Sequence, residues 1–219
     1  MGTRARLIRK LGLRPLVLSA GMPRSASTLL FNVLRLCLSE KYGEHLSCGW
    51  IGDIDNLPTA EIYLLKTHTL GRFLWCRGQY VFYTYRDIRE VLVSSSIKFD
   101  VTPSLDRCKV LIDEYIKAKK HADLMIKYED MVNNTEHQIS QIAAIIELDV
   151  EPRKIFDDLP AFGPERIRSS GYDRVTLTHG RHGSGMREGE WRTALPDNLR
   201  AEIQERYAWW FEDAHYNLE

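Results

Sequence analysis

The chain has 219 residues, of which 44% are hydrophobic and 27% charged, a composition typical of a globular protein with a substantial core. Lysine plus arginine balances aspartate plus glutamate at 30 each, so the charge gives no indication of nucleic-acid or membrane binding. We therefore expect a single domain over residues 1–219, with no nucleic-acid partner.

Two features bear on where the protein works. The apolar run at residues 16–20 is far too short for a signal sequence or a membrane span. The four cysteines form no CxxC pair, so they fit a reducing cytoplasm better than a disulfide framework or a zinc site. We expect a cytoplasmic protein without a membrane span or a metal.

In chain order, short apolar strands alternate with segments of helical periodicity. We predict strands at residues 16–18, 61–66, 80–85 and 124–126, and helices at residues 27–42, 87–98, 103–121, 136–148 and 195–216. Residues 43–60 are loop-like, and the glycine-rich stretch 158–193 is typical of a functional loop or a lid. The alternation predicts an α/β fold, a P-loop-like parallel sheet flanked by helices on both faces.

The first chemical signal is the segment 21–28, which follows a strand and begins a helix. Backbone N–H groups and the positive helix end then point to one spot, an arrangement that binds phosphate. An ordinary corner with Ser27 as N-cap is the alternative. A GxxxxGK[ST] loop is disfavoured, because Ala26 and Ser27 stand where glycine and lysine are needed. The candidate anion-binding residues are Arg24, Ser25, Ala26, Ser27 and Thr28.

Two further pairs of residues follow from the predicted strands. Lys66 and His68 lie at the end of the second strand, and open α/β sheets bind ligands beyond the carboxyl ends of their strands. Arg86 ends the third strand, and Ser94 lies about two helical turns farther on. A guanidinium and a hydroxyl so placed can converge on one phosphate. Arg89, between them, we expect to be solvated.

These segments resemble, in this order, the motifs of the sulfotransferase superfamily. Residues 24–28 are similar to the 5′-phosphosulfate loop, and Lys66-Thr67-His68 is similar to the KTH segment that carries the catalytic base. Arg86 and Ser94 match the 3′-phosphate pair in type and spacing. The later segments that resemble the family's YEDM and RKG…GDWK stretches are Tyr128-Glu129-Asp130-Met131, Arg181-His182-Gly183 and Gly189-Glu190-Trp191-Arg192.

The resemblance implies a donor, 3′-phosphoadenosine-5′-phosphosulfate (PAPS), a product, adenosine 3′,5′-bisphosphate (PAP), and a small-molecule acceptor with a hydroxyl or an amine. In-line transfer would place Arg24 on the leaving phosphate, Lys66 over the sulfuryl oxygens and His68 as general base. Tyr128 would lie near adenine. The resemblance assigns further phosphate contacts to Arg181, His182 and Gly183.

The sequence also departs from the family pattern. Leu29 stands where cytosolic members place a tryptophan against adenine, and Ala26 replaces the usual loop glycine. Arg181 and Trp191 are farther apart than the family pattern usually has, and the KxxxTVxxxE dimer motif is absent. Trp50, Trp75, Trp209 and Trp210 could line an acceptor pocket, but core packing is the default role of an aromatic side chain.

Two alternative functions remain at this stage. One is a P-loop-like nucleotide kinase, which the missing loop lysine disfavours. The other is a catalytically silent module that binds the nucleotide but has no acceptor, which the retention of Lys66 and His68 disfavours.

Overall fold

The computed structural model describes residues 8, 10–159, 172–178 and 189–218. Five strands form one sheet in the order β2-β3-β1-β4-β5, and every neighbouring pair is parallel. The strands are β1 Leu16–Gly21, β2 Leu46–Trp50, β3 Ile62–Thr67, β4 Tyr80–Tyr85 and β5 Leu124–Lys127.

Helices connect these strands and close the chain. They are α1 Ser27–Tyr42, α2 Arg72–Arg77, α3 Ile88–Phe99, α4 Leu105–His121, α5 Tyr128–Asn133, α6 Thr135–Ile145, α7 Pro152–Asp157, α8 Trp191–Ala194 and α9 Asp197–Asp213. The last helix is kinked at Tyr207, whose backbone is not helical. The parallel α/β architecture that the sequence predicts is confirmed.

The core lies on both faces of the sheet, as the alternation of side chains along each strand requires. Leu16 and Leu18 of β1 face a cluster that includes residues of α3, α4 and α9. Val17, between them, faces a second cluster that includes residues of α1 and α6. All six residues of β1 are buried, which is expected of a central strand covered on both faces.

The strand β2 is missing from the sequence prediction, which assigns residues 43–60 to a loop. In the structure Leu46–Trp50 pairs with β3 and alternates between buried and half-buried residues. Within this strand, a Cβ atom at Gly49 would approach Leu57 Cδ2 to 2.6 Å. A glycine that indicates a loop in the sequence thus lets the Leu57 side chain pack closely against β2.

Arg89 corrects the expectation of a solvated side chain, since it is only 2% exposed. Its guanidinium pairs with Asp87 at 2.7 Å and lies 3.7 Å from the ring centroid of Trp191. It also donates hydrogen bonds to the carbonyl oxygens of Asn217, at 2.6 Å, and Leu218, at 2.8 Å. The helical position of Arg89 turns it toward the core, where Asp87 offsets the cost of burying its charge.

Three observations concern the expectations about cysteines, membrane spans and metal ligands. The cysteines Cys37, Cys48, Cys76 and Cys108 are free thiols. Among the residues that the structure describes, no helix could span a membrane. The same residues contain no group of three or more histidine, cysteine or acidic side chains placed to hold a metal ion.

Candidate active site

The predicted site residues meet at one edge of the sheet because β3, β1 and β4 are neighbours. Thr67 of β3 lies beside Ala20 of β1, and Gly21 lies beside Thr84 of β4. The three chain segments that follow these strands therefore leave the sheet side by side. This is the carboxyl edge, where parallel α/β sheets bind their ligands.

The loop between β1 and α1 has an unusual backbone. Arg24 and Ala26 both have left-handed conformations, with φ values of 64° and 62°. Such a conformation costs about 1–2 kcal/mol for a residue with a side chain. When left-handed residues alternate with residues of another backbone conformation, successive N–H groups can face one concavity, which is a common way to bind an anion.

Ser25 fixes the loop from the inside. Its hydroxyl donates to the carbonyl oxygen of Met22 at 2.7 Å and lies 2.8 Å from Thr84 Oγ1. Gly21 is needed just before, because a Cβ atom there would lie 2.2 Å from the same Thr84 oxygen. The Ser25 hydroxyl is thus bonded within the protein.

The helix α1 begins at Ser27 and runs for 16 residues. Its first N–H groups have no partners within the helix, and the positive end of its dipole faces the loop. Thr28, the second residue of α1, accepts a hydrogen bond from Lys66 at Oγ1. Burial, with further contributions from Lys98 and Arg24, lowers the pKa of Lys66 from 10.5 to about 7.

His68 is held in one orientation by the loop. Its Nδ1 lies 2.8 Å from the carbonyl oxygen of Gly21, so Nδ1 carries the proton and donates it. The ring also lies 5.4 Å from that of Trp50. Burial and the charge of Lys66 lower the pKa of His68 to about 4. The imidazole is therefore neutral at pH 7, and Nε2 holds an available lone pair.

Arg24, Arg86 and Ser94 form one connected group. Arg24 Nε donates to Ser94 Oγ at 2.8 Å, and Arg86 Nη1 donates to the carbonyl oxygen of Arg24 at 3.3 Å. The guanidinium of Arg86 lies 4.0 Å from the ring centroid of Tyr128 and 3.5 Å from Glu90. Its buried Nε has no hydrogen-bond partner among the described residues. That N–H could donate to a bound phosphate.

The positive charges at this edge disfavour one another. Burial and then the charge of Arg86 lower the pKa of Arg24, and Lys98 contributes to the lowered pKa of both Lys66 and His68. A bound anion would relieve this repulsion. Lys98 is not among the residues that the motifs indicate, although it lies four residues after Ser94 and so on the same helical face.

A cavity of about 350 Å³ opens beside His68. Its volume is at the small end of the range for ligand pockets, about 300–1,000 Å³. Its polar lining includes Thr69, Ser95 and Glu114. Its apolar lining is formed by Met22, Pro23, Tyr83, Val91, Leu92, Val110 and Leu111.

The remaining residues that the sequence suggests either lie outside the described part of the chain or have other contacts. Arg181, His182 and Gly183 lie outside the described residues. Trp210 is buried in the core, whereas Trp209 is 49% exposed. Glu129, in the YEDM-like segment, accepts a hydrogen bond from Tyr216 at 2.8 Å.

No protein-family model matches the sequence, and no curated protein matches it. Solved structures do match. A mouse sulfotransferase, SULT7A1, in complex with PAP superimposes with a TM-score of 0.63 at 14% identity, over 94% of this chain and 88% of that chain.

A retinol dehydratase in complex with retinol and PAP superimposes with a TM-score of 0.59, over 94% of this chain and 83% of that one, again at 14% identity. The same enzyme with androsterone and inactive cofactor PAP gives a TM-score of 0.56 at 14% identity, over 94% of this chain and 82% of that one. The chain therefore has the fold of the PAP-binding sulfotransferases.

Proposed function

We propose that this protein transfers a sulfuryl group from PAPS to a hydroxyl or amine of a small-molecule acceptor. The observation that carries the proposal is the position of His68. This neutral imidazole, whose Nε2 can accept a proton, lies between a cluster of cations and a largely apolar cavity. PAPS supplies the anion and the cavity receives the acceptor.

The donor would bind through both of its phosphate ends. The loop at residues 24–28 and the start of α1 suit the 5′-phosphosulfate, because they combine N–H donors with Arg24. Arg86 and Ser94 suit the 3′-phosphate, and the buried Nε of Arg86 is one donor available to it. Tyr128, which stacks on Arg86, is placed to contact adenine.

In the transfer step the acceptor oxygen or nitrogen forms a bond to sulfur, while the bond from sulfur to the bridging phosphate oxygen breaks. The acceptor proton passes to His68 Nε2, and the bond electrons stay on PAP. Arg24 and Lys66 stabilise the charge on the leaving phosphate and the sulfuryl oxygens. The negative donor raises the pKa of Lys66, which keeps its ammonium charged during the step.

The test compares PAP with 5′-AMP by calorimetry on the full chain, together with transfer of labelled sulfate from PAPS to a panel of hydroxylated metabolites. We expect PAP to bind far more tightly, and at about 100 times its Kd to stabilise the protein by about 2.7 kcal/mol. Equal affinity for the two nucleotides contradicts the 3′-phosphate assignment. Tight PAP binding with no transfer to any acceptor would favour a silent nucleotide-binding module.

Cytoplasmic location is part of the same proposal. The cysteines are free, and Cys76 is exposed. Exposed thiols persist in a reducing compartment. Fractionation of cells that express the tagged full chain tests this point.

A further inference from the structure

The proposed 3′-phosphate site contains a buried carboxylate that the proposed transfer does not use. Glu90 lies four residues after Arg86 and is only 3% exposed. Its Oε2 is 3.5 Å from Arg86 Nη2, and its Oε1 accepts the N–H of Gly189 at 2.6 Å. The fold therefore holds a negative charge beside the guanidinium that we assign to the 3′-phosphate.

A second buried pair in the same segment shows how closely such charges can approach here. Arg89 donates to the carboxylate of Asp87 from Nε at 3.0 Å and from Nη2 at 2.7 Å. Arg86 is paired more loosely, since its distance of 3.5 Å to Glu90 exceeds the usual length of a charge-assisted bond, about 2.7–2.9 Å. Its Nε has no hydrogen-bond partner among the described residues. Glu90 thus compensates the charge of Arg86 without satisfying all of its donors.

The positive charges around Arg86 need a counter-charge when no nucleotide is bound. Arg86 is only 6% exposed, so water compensates its charge poorly. Its Nη1 donates to the carbonyl oxygen of Arg24 at 3.3 Å, and its charge contributes to the lowered pKa of Arg24. In the free protein Glu90 therefore supplies the negative charge that a phosphate would supply in the complex.

We propose that Glu90 stands in for the 3′-phosphate in the free protein and competes with it for Arg86 when the nucleotide binds. Both groups are anions beside one buried guanidinium, where water and salt screen their mutual repulsion poorly. The competition weakens binding of the 3′-phosphate and so speeds release of the product PAP after each transfer. This inference rests on the proposed sulfuryl transfer and assigns Glu90 a role in the affinity for donor and product.

The test is calorimetry of PAP and of 5′-AMP with the full chain, as the wild type and as Glu90→Gln. Glutamine keeps the side-chain size and an oxygen that can accept the N–H of Gly189, but it removes the charge beside Arg86. We expect the affinity for PAP to rise at least about tenfold, because like charges side by side are strongly unfavourable. The affinity for 5′-AMP, which has no 3′-phosphate, should change little. Dissociation of PAP, followed by stopped-flow displacement, should slow by a similar factor.

Further variants separate the charge of Glu90 from its packing. Glu90→Met also lacks the charge and should show the same gain in the ratio of PAP affinity to 5′-AMP affinity, whereas Glu90→Asp keeps the charge and should not. Asp87→Asn removes a buried carboxylate that Arg89 compensates, so it should lower the melting temperature and leave the ratio near the wild-type value. Glu90→Gln should melt lower than the wild type without nucleotide, and PAP should raise its melting temperature by more.

An unchanged or weaker affinity for PAP in Glu90→Gln and Glu90→Met would overturn the inference, and so would an equal gain in Glu90→Asp or Asp87→Asn. If neither neutral variant folds even with PAP present, Glu90 is a structural residue and the inference is also overturned. A wild type that does not prefer PAP to 5′-AMP counts against the proposed function. A wild type with that preference, but without the gain in the neutral variants, counts against this inference alone.

Discussion

At the residue scale, the carbonyl of Gly21 controls the chemistry of His68. Because this oxygen accepts from Nδ1, the imidazole, which lines the cavity, keeps its Nε2 unprotonated. Burial and Lys66 then keep the ring neutral down to acidic pH. In the proposed mechanism the Gly21 carbonyl thus orients the general base in the place of a carboxylate partner.

We expect His68→Ala to lower kcat by about 10²–10⁴-fold, which is the usual effect of removing a positioned general base. PAP affinity should change little, since the neutral ring adds no charge to the nucleotide site. Because the pKa of His68 is lowered to about 4, kcat/KM of the wild type should stay level below pH 6.5 and fall only as pH approaches 4. Initial rates across pH 4–8 check this.

Two results would speak against this role of His68. One is a variant with full turnover. The other is a combined loss of melting temperature and PAP affinity with an unchanged pH profile, which would make the residue a structural support for the end of β3.

Lys66 should oppose folding when no nucleotide is bound. Its pKa is lowered from 10.5 to about 7, so the native state binds fewer protons than the unfolded state between these pH values. Stability then rises with pH across that window, and the charged form is destabilising at and below pH 7. We expect Lys66→Met to raise the melting temperature of the nucleotide-free protein at pH 7 while it lowers kcat.

The measurement is thermal unfolding of both proteins at pH 7.0 and 8.5, with and without PAP. The difference in melting temperature should shrink at the higher pH, and PAP should reverse its sign. A variant that is less stable than the wild type under all four conditions would contradict this account.

At the element scale, the loop from β1 to α1 combines strain with function. Arg24 and Ala26 have left-handed backbones, whereas Ser25 between them is tied to Met22 and Thr84. These bonds hold the two residues in conformations that their side chains disfavour. The loop therefore has the backbone conformation that the proposed anion site requires without a bound ligand.

Ala26→Gly should stabilise the protein by about 0.5–1 kcal/mol, because glycine adopts the left-handed backbone without the steric penalty that alanine has. Ala143→Gly, in the interior of α6, is the matched control and should destabilise by about 1 kcal/mol. Urea unfolding of the two variants gives the comparison. Equal destabilisation at both positions would mean that Ala26 is unstrained.

Much of the architecture could be predicted at this scale. The pattern of apolar residues in β1, α1 and β4 follows from which side chains are buried, and this pattern is visible in the sequence. The strand β2 could not be predicted from the sequence. Its glycine and its half-buried side chains are explained only by the contacts with β3 and Leu57 that the fold creates. The role of Lys98 likewise depends on where α3 lies relative to His68, and spacing alone gives only its helical face.

At the scale of the whole molecule, Arg89 joins distant parts of the chain. From α3 it contacts Trp191 of α8, Phe211 of α9 and the carbonyl group of Leu218, while Asp87 pairs with its charge. No periodicity predicts such a set of contacts, because all of these partners except Asp87 lie more than a hundred residues away. This buried cation holds the closing segment against the helix that carries Ser94.

Arg89→Met should destabilise the protein by about 3–5 kcal/mol, since it leaves the Asp87 carboxylate buried without its partner. The double variant Asp87→Asn/Arg89→Met should recover part of this loss. Arg153→Met, which breaks exposed pairs with Glu136 and Asp157, is the control and should cost less than about 1 kcal/mol. Chemical denaturation provides all three values, and similar costs for the buried and exposed pairs would refute the argument.

The hydrogen bond from Arg86 to the carbonyl oxygen of Arg24 joins the two ends of the proposed nucleotide site. Arg24 also holds Ser94 through its side chain, so one residue contacts the groups that we propose for both phosphates. On the proposed function, a ligand that orders one end would change the free energy of binding at the other, and thermodynamic linkage makes such a change mutual. We therefore expect the 5′ and 3′ halves of PAP to bind cooperatively, so that intact PAP binds better than its separated halves would indicate.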